Sequence, residues 1–385
     1  MEVKMAETRF YLPTEIVAGA GCFEGLGNAV RRLGRRALLV GSPGRQALLE
    51  RAAALLASAG VEAALFAGVR GEPTLEVVEA ARERARASRA EVMVGIGGGS
   101  AIDVAKAAAG LCREPGAVAE YHAGRPLSGT RGLPLVAVPT TAGTGAEVTK
   151  NAVLIDPGRG VKESIRDDSW FPALALLDPA LTLSLPPEVT ASTGADALCQ
   201  AIEAFVSIGA GPVSDPLAAD AIRRIGRSLE RAVAHGDDLA ARSDMLYGSL
   251  LAGMAMTNAR LGAVHGLAHP LGARYSIAHG TLCGLLLPYV MRYNADYAAD
   301  KYAQVAALLG VAEGNTPPAE AAQRAVERVR ALLARVGIPA RLAPLGVREA
   351  DLPAIVAEAL PQSSLKHNPR PMAAEDVREV LVMAL

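Results

Sequence analysis

Val92-Met-Val-Gly-Ile-Gly-Gly-Gly-Ser-Ala-Ile-Asp-Val-Ala-Lys-Ala-Ala-Ala109 runs from a short aliphatic stretch through Gly97, Gly98 and Gly99 into Ser100 and an alanine-rich segment. A strand, a glycine turn and a helix start, in that order, make the context of a phosphate-binding loop. Glycines let backbone approach a pyrophosphate closely, and the free N–H groups and positive dipole end of the helix supply counter-charge. Three consecutive glycines cost more chain entropy than a tight turn needs, which favours the loop over a bare turn. Ser100, with Asp103 three residues on, predicts a capping-box-like pair at the helix start. The run is not a Gly-x-Gly-x-x-Gly fingerprint, and it follows a later strand than that fingerprint would.

Outward from this loop, residues 14–112 alternate short aliphatic runs with alanine-rich amphipathic stretches, the pattern of parallel strands joined by crossover helices. Strands are predicted at 36–40, 61–66 and 91–96, and helices at 22–33, 46–59, 75–87 and 101–112. Further strands fall at 135–138, closed by Pro139, and at 173–177, before Asp178-Pro179. A second loop, Pro139-Thr-Thr-Ala-Gly-Thr-Gly-Ala-Glu147, again follows a strand and offers the hydroxyls of Thr140, Thr141 and Thr144. Two such loops imply a nucleotide lying across the strand ends. After Leu185-Pro-Pro187 the strand signals stop, and segments 214–234, 239–259, 298–309 and 319–336 carry apolar residues at three-to-four spacing, as a helical bundle does. A length of 385 residues is too great for one ordinary core. The expected architecture is an α/β dinucleotide-binding domain over 1–186 and an all-α metal- and substrate-binding domain over 187–385.

Three of the six histidines, His265, His269 and His279, fall in Gly262-Ala-Val-His-Gly-Leu-Ala-His-Pro-Leu-Gly272 and Ile277-Ala-His-Gly280. A lone histidine on an apolar helix is more commonly a satisfied core residue than a ligand. Three interleaved with glycines are not explained by packing. Upstream, Thr193-Gly-Ala-Asp-Ala-Leu-Cys-Gln-Ala-Ile-Glu-Ala-Phe205 reads as a helix that presents Asp196 and Gln200 at i and i+4, on one face. An aspartate with several imidazoles suits a divalent transition metal.

Lys+Arg total 39 against Asp+Glu 40, a net charge of −1, so there is no basic field to hold a nucleic acid. The four cysteines, Cys22, Cys112, Cys199 and Cys283, are scattered as reduced thiols rather than as a disulfide framework or zinc knuckle. Met1 to Arg9 lacks the apolar core of a signal peptide. The longest run free of acidic and basic residues, 275–291, holds His279, two glycines and Pro288, and is a poor membrane span. The expectation is a cytoplasmic protein without nucleic-acid or membrane partners. The charged run Ala80-Ala-Arg-Glu-Arg-Ala-Arg-Ala-Ser-Arg89 reads as a solvated helix face, and His122 and His235 read as solvated loop residues.

In this order Pro13-Thr-Glu-Ile16, Gly97 to Lys106, Pro139 to Thr149, Asp178-Pro179, Leu185-Pro-Pro187, Gly194-Ala-Asp-Ala-Leu198 and the histidine block resemble the iron-containing (group III) alcohol dehydrogenase family, of dehydroquinate-synthase-like fold. The resemblance spans most of the chain. It implies reversible, metal-dependent hydride transfer between a small alcohol, or its aldehyde or ketone, and a nicotinamide cofactor. By position it places the metal on Asp196, Gln200, His265 and His279, with Fe2+ expected and Zn2+ the alternative. It places His269 at the reacting centre, where an imidazole titrating near the working pH relays a proton. Cofactor contacts fall on Gly97, Gly98, Gly99, Ser100, Asp103, Thr140, Thr141, Thr144, Asn151 and Lys162. Many members carry histidine where this chain has Gln200, and a carboxamide is the poorer ligand. After strand 36–40, where an NAD-preferring member offers an aspartate, the chain reads Gly41-Ser-Pro-Gly-Arg45, so Ser42 and Arg45 favour NADP over NAD. Gln200 also keeps open a metal-independent reductase similar to maleylacetate reductases. A lyase resembling dehydroquinate synthase fits less well, because it calls for more basic residues and a different ligand set. His367 lies in a segment that in the family returns to the cleft, and members commonly pair near residues 10–16, so a homodimer or larger assembly is expected.

Overall fold

The computed structural model describes residues 9–385. Most of the N-terminal stretch read for a signal peptide therefore lies outside the described residues. Eight strands and fourteen α-helices follow one another as β1 (Glu15–Ala18), α1 (Leu26–Arg31), β2 (Arg36–Val40), α2 (Gln46–Ser58), β3 (Glu62–Phe66), α3 (Leu75–Ala87), β4 (Val92–Gly97), α4 (Gly99–Leu111), α5 (Val118–His122), β5 (Leu135–Pro139), β6 (Asn151–Asp156), β7 (Val161–Arg166), β8 (Leu174–Leu177), α6 (Pro187–Val206), α7 (Ser214–Ala234), α8 (Leu239–Ala259), α9 (Ala263–Tyr275), α10 (His279–Asn294), α11 (Ala299–Leu308), α12 (Pro318–Arg335), α13 (Leu352–Ala359) and α14 (Ala374–Ala384).

Six strands form one parallel sheet in the order β1-β8-β5-β4-β2-β3. β2, β4, β5 and β8 are almost wholly buried, as expected of aliphatic runs covered by helices on both faces. From β2 the chain steps outward to β3 and then returns to the other side of β2 as β4. Strand order reverses there, and the crevice outside the carboxyl ends of β2 and β4 is where open α/β sheets bind ligands. Asp178 fixes the end of β8: its carboxylate accepts the Ala180 N–H at 3.0 Å and the Phe23 N–H at 3.2 Å.

From Pro187 onward the described chain is helical, packed around one continuous apolar core that includes Leu198, Ile202, Ile222, Leu229, Leu267 and Leu286. Among the described residues no helix is long and apolar enough to cross a membrane.

One local feature goes unannounced and two local expectations fail. β6 and β7 form an antiparallel hairpin that the sequence does not announce. Arg82 is buried rather than solvated; it donates to the Gly116 carbonyl at 2.6 Å, while Arg86 donates to the Cys112 and Glu114 carbonyls at 2.8 Å each. These guanidiniums satisfy the carbonyls left over beyond the end of α4, which a solvated helix face would not do. His122 is also buried, its Nε2 3.3 Å from the Leu154 carbonyl of the hairpin. His235 lies exposed at the end of α7, as read.

Candidate active site

The glycine run emerges at the carboxyl end of β4 and opens α4. Gly97 sits at φ +153°, and a Cβ there would lie 2.7 Å from the Ala101 Cβ, so only glycine makes this turn without displacing the first turn of the helix. The expected Ser100–Asp103 capping pair does not form. Gly98 is the N-cap and has no side chain to offer, which leaves the first N–H groups of α4 free of a side-chain cap. Asp103 instead turns to the hairpin: its carboxylate accepts the Val153 N–H at 3.0 Å and lies 3.5 Å from Lys106 Nζ. Lys106 is buried and donates to Ala146 O, Thr149 Oγ1 and Asn151 O at 2.8–2.9 Å. One aspartate and one lysine thus tie α4 to both the second loop and β6.

That second loop crosses directly over the first. The Thr140 N–H donates to the Gly97 carbonyl at 2.8 Å. Thr141 and Thr144 lie against Gly98 and Gly99, with their side-chain atoms 3.2 Å and 2.7 Å from where a Cβ would stand. The same loop touches the helical half: Ser249 Oγ donates to Gly143 O at 3.1 Å, and Gly143 packs against Thr193, one turn before Asp196 on α6. Ser42, half-buried, follows β2 at the same edge of the sheet, and Arg45 Nη1 donates to Ser184 Oγ at 2.6 Å. Lys162 on β7 pairs with Glu72 and lies close enough to His269 to repel a proton from it.

The histidine block and Asp196 converge. Asp196 Oδ1 lies 3.4 Å from His265 Nε2 and 3.8 Å from His279 Nε2. The His265 ring centroid stands 5.3 Å from that of His279, and the His269 ring stacks on His279 at 5.6 Å. Three helices supply these groups. α6 and α10 approach closely because residue 280 is glycine; a Cβ there would lie 2.1 Å from the Ser192 carbonyl oxygen. His279 is thereby set beside Asp196, at the very start of α10.

Sequence reasoning missed Glu203, which sits at the centre of the arrangement. Its Oε1 accepts the Val264 N–H and its Oε2 meets His265 Nδ1, both at 2.6 Å. One buried carboxylate therefore caps α9 and holds His265 with Nδ1 protonated, so that Nε2 faces Asp196 and Cys283. Asn368 supports the same helix start: its Oδ1 accepts the Ala263 N–H at 3.4 Å, and it exchanges two hydrogen bonds with Asn294. Cys283, one turn after His279, places Sγ 3.5 Å from His279 Nε2 and 3.8 Å from His265 Nε2. Cys199 Sγ lies 3.9 Å from His265 Nδ1, on the Glu203 side of the ring. A partial signal existed for the cysteines, since Cys283 recurs four residues after His279 and Cys199 adjoins Gln200.

Electrostatics sort the three imidazoles. Burial alone would push the His265 and His279 pKa values down, but Cys283 together with the neighbouring carboxylates outweighs it and both are raised. His269 goes the other way, to about 3, because of burial and the positive charge of His279, His265 and Lys162. The expectation that His269 titrates near neutrality fails for that reason; it is a neutral imidazole at working pH. Its Nδ1 lies 3.5 Å from Gln362 Oε1, which favours the tautomer with the proton on Nδ1 and the lone pair on Nε2. His367 has no partner in this cluster; its Nδ1 lies 3.0 Å from the Ser363 carbonyl.

Two buried oxygens in this region find no hydrogen-bond partner, Asp196 Oδ1 and Gln200 Oε1. An unpaired carboxylate oxygen with 2% residue exposure is costly unless a cation satisfies it. Asp196, His265, His279 and Cys283 can bring donor atoms within 4.8 Å of one another. The residues therefore fit a divalent metal.

The chain and its fold match known proteins. Residues 13–179 match the family model "Iron-containing alcohol dehydrogenase", and residues 190–385 match "Fe-containing alcohol dehydrogenase family, C-terminal". The chain is 40% identical to long-chain-alcohol dehydrogenase 1 of Geobacillus thermodenitrificans, over 98% of this chain and 96% of that protein. It is 38% identical to 1,3-propanediol dehydrogenase of Citrobacter freundii, over 91% and 92%, and 40% identical to lactaldehyde reductase of Escherichia coli, over 84% of each. A crystal structure of a 1,3-propanediol oxidoreductase superposes with a TM-score of 0.95 at 36% identity, covering 99% of this chain and 100% of that one. The chain belongs to the iron-containing alcohol dehydrogenase family and is an oxidoreductase acting on CH–OH groups.

Proposed function

We propose that the protein interconverts a small alcohol and its aldehyde or ketone at the cluster of Asp196, His265 and His279, with residues 1–186 carrying a nicotinamide dinucleotide and residues 187–385 a divalent metal. The observation that carries this reading is the unpartnered, buried Asp196 Oδ1 facing the two Nε2 atoms. The orphaned Asp196 Oδ1 also counts against a metal-independent reductase, because a site built without a cation would give it an N–H partner.

Asp196, His265 and His279 would hold the ion, with Gln200 one turn along α6. When bound, it supplies a Lewis acid that favours the alkoxide form of an alcohol and polarises a carbonyl. The family name points to Fe2+, with Zn2+ the alternative for a nitrogen and oxygen donor set. The free N–H groups at Gly97, Gly98, Gly99 and Ser100 bind the pyrophosphate, while Thr140, Thr141 and Thr144 orient the nicotinamide half over α6. Asn151 and Lys162 border the same cleft from the hairpin, and Asp103 positions that hairpin rather than touching cofactor. At the adenosine end Ser42 carries no carboxylate to repel a 2′-phosphate, so NADPH is favoured over NADH, with Arg45 able to leave Ser184 for the phosphate. His269, neutral and oriented by Gln362, offers its Nε2 lone pair as a hydrogen-bond acceptor for the alcohol hydroxyl at the reacting centre, and the proton the alcohol loses passes on to solvent. The edge strand β1, with Val17 exposed on it and Tyr11 exposed shortly before it, fits a homodimer. Cytoplasmic location agrees with the four free cysteines.

The test is elemental analysis of purified protein beside aldehyde reduction with NADPH and NADH, before and after chelation and with Fe2+ or Zn2+ restored. Near-stoichiometric metal, with activity lost on chelation and regained with the ion, is expected. Full activity in metal-free protein would overturn the mechanism in favour of the metal-independent reductase.

A further inference from the structure

The chain lacks a strong fourth donor at position 200, where a carboxamide stands, yet a sulfur occupies the same cluster. Cys283 is buried on α10, one turn from His279, and its Sγ faces the Nε2 atoms of both His265 and His279. On His265 this is the nitrogen that Glu203 does not engage. The separations have the size of the edges of a coordination tetrahedron. With ordinary zinc bond lengths, N···O edges come to about 3.4 Å and N···S edges to about 3.5 Å. The N···O distances here are 3.4 and 3.8 Å and the N···S distances 3.5 and 3.8 Å. The second cysteine does not meet this condition. Cys199 shares with Glu203 the Nδ1 side of His265, and the 2.6 Å contact between Nδ1 and the carboxylate is a hydrogen bond, far too short for two ligands of one ion.

We propose that Cys283 is the fourth protein ligand of the divalent ion, as thiolate, taking the place that Gln200 fills poorly. The proposal rests on the metal reading above. Binding releases one proton, from the Cys283 thiol to solvent, and with Asp196 the thiolate brings two negative charges to a dication. A thiolate is a softer donor than imidazole, so the site moves toward zinc and away from iron.

Cobalt(II) substitution in the full-length protein reads this directly, through the intense near-ultraviolet sulfur-to-cobalt charge-transfer absorption that only thiolate ligation gives. About one cobalt per chain with that absorption is expected, retained in Cys199→Ala and lost in Cys283→Ala. In Cys283→Ala zinc affinity should fall by about tenfold or more, and the ratio of zinc to iron affinity should fall with it. Cobalt bound without the absorption, or an absorption that survives Cys283→Ala, overturns the proposal and leaves the metal reading standing. A wild-type protein that takes up neither cobalt nor zinc overturns both.

Discussion

Glu203→Gln isolates the buried carboxylate that both caps α9 and orients His265. In the native protein two N–H donors, those of Val264 and His265 Nδ1, meet two carboxylate oxygens at 2.6 Å each. Glutamine has the same shape but only one acceptor oxygen. Whichever way the carboxamide turns, its NH2 faces one of those donors. Turned toward Val264, it sets donor against donor at a backbone group that cannot move. Turned toward His265, it forces the ring proton onto Nε2, the nitrogen needed as a ligand, so the metal must reverse the tautomer to bind. Hydrogen bonds to a charged group are worth about 1.5–3 kcal/mol. Losing an orienting partner of a ligating histidine typically costs about 10–100-fold in metal affinity, or about 1.4–2.8 kcal/mol. Competition against a chelator of known affinity measures this loss. An unchanged metal affinity in a folded Glu203→Gln protein would refute the reasoning and reduce Glu203 to a helix cap.

Three further outcomes follow from the geometry. Gly280→Ala places a methyl group 2.1 Å from the Ser192 carbonyl oxygen, so α10 must retreat from α6; stability should fall by about 1–3 kcal/mol in denaturant titration, with metal content falling beside it. Ser42→Asp should lower the NADPH to NADH ratio of kcat/KM by about tenfold or more, since the carboxylate repels a 2′-phosphate and accepts ribose hydroxyls; an unchanged ratio would remove Ser42 from the adenosine site. Glu147 is buried, and burial, resisted by Lys106, raises its pKa to about 7 from an ordinary 4.5. The folded protein thus favours the protonated form, and its contribution is full below pH 4.5 and is lost as pH rises through 7. Glu147→Gln should accordingly match the wild type at pH 4 and exceed it by about 3 kcal/mol at pH 8 in chemical denaturation, whereas equal stability at pH 8 would show the carboxylate to be solvated.

Where one face or one period settles the structure, the residues were readable. β2, β4, β5 and β8 are unbroken aliphatic runs bounded by glycine or proline, because both faces of the sheet are covered. The hairpin was not legible: Val161-Lys-Glu-Ser-Ile-Arg166 is charged and half-exposed, and the side chains that anchor its partner strand β6, Asp103 and Lys106, come from a distant helix. His265, His279 and Asp196 stood out by residue type. Glu203 did not, since a glutamate on an amphipathic helix looks like any other until a residue 62 positions away arrives beside it. Arg82 and His122 were misread for the same reason, as their partners are carbonyls 32 to 34 positions away that no local pattern reveals. The pKa of His269 depends on the burial and the neighbouring charges that tertiary folding brings about.

The donors of the cluster come from α6, α9 and α10; α9 and α10 follow one another closely, but α6 is separated from them in sequence by α7 and α8. An ion held among them therefore acts as a removable staple on the helical half as well as a reagent. Because unfolding scatters the donors, occupancy adds stability by mass action, about 2.7 kcal/mol when free metal stands at a hundred times its dissociation constant. Metal supply would then set the lifetime of the folded protein along with its turnover, and cells short of the ion would lose the enzyme to unfolding and proteolysis rather than accumulate an idle apoprotein.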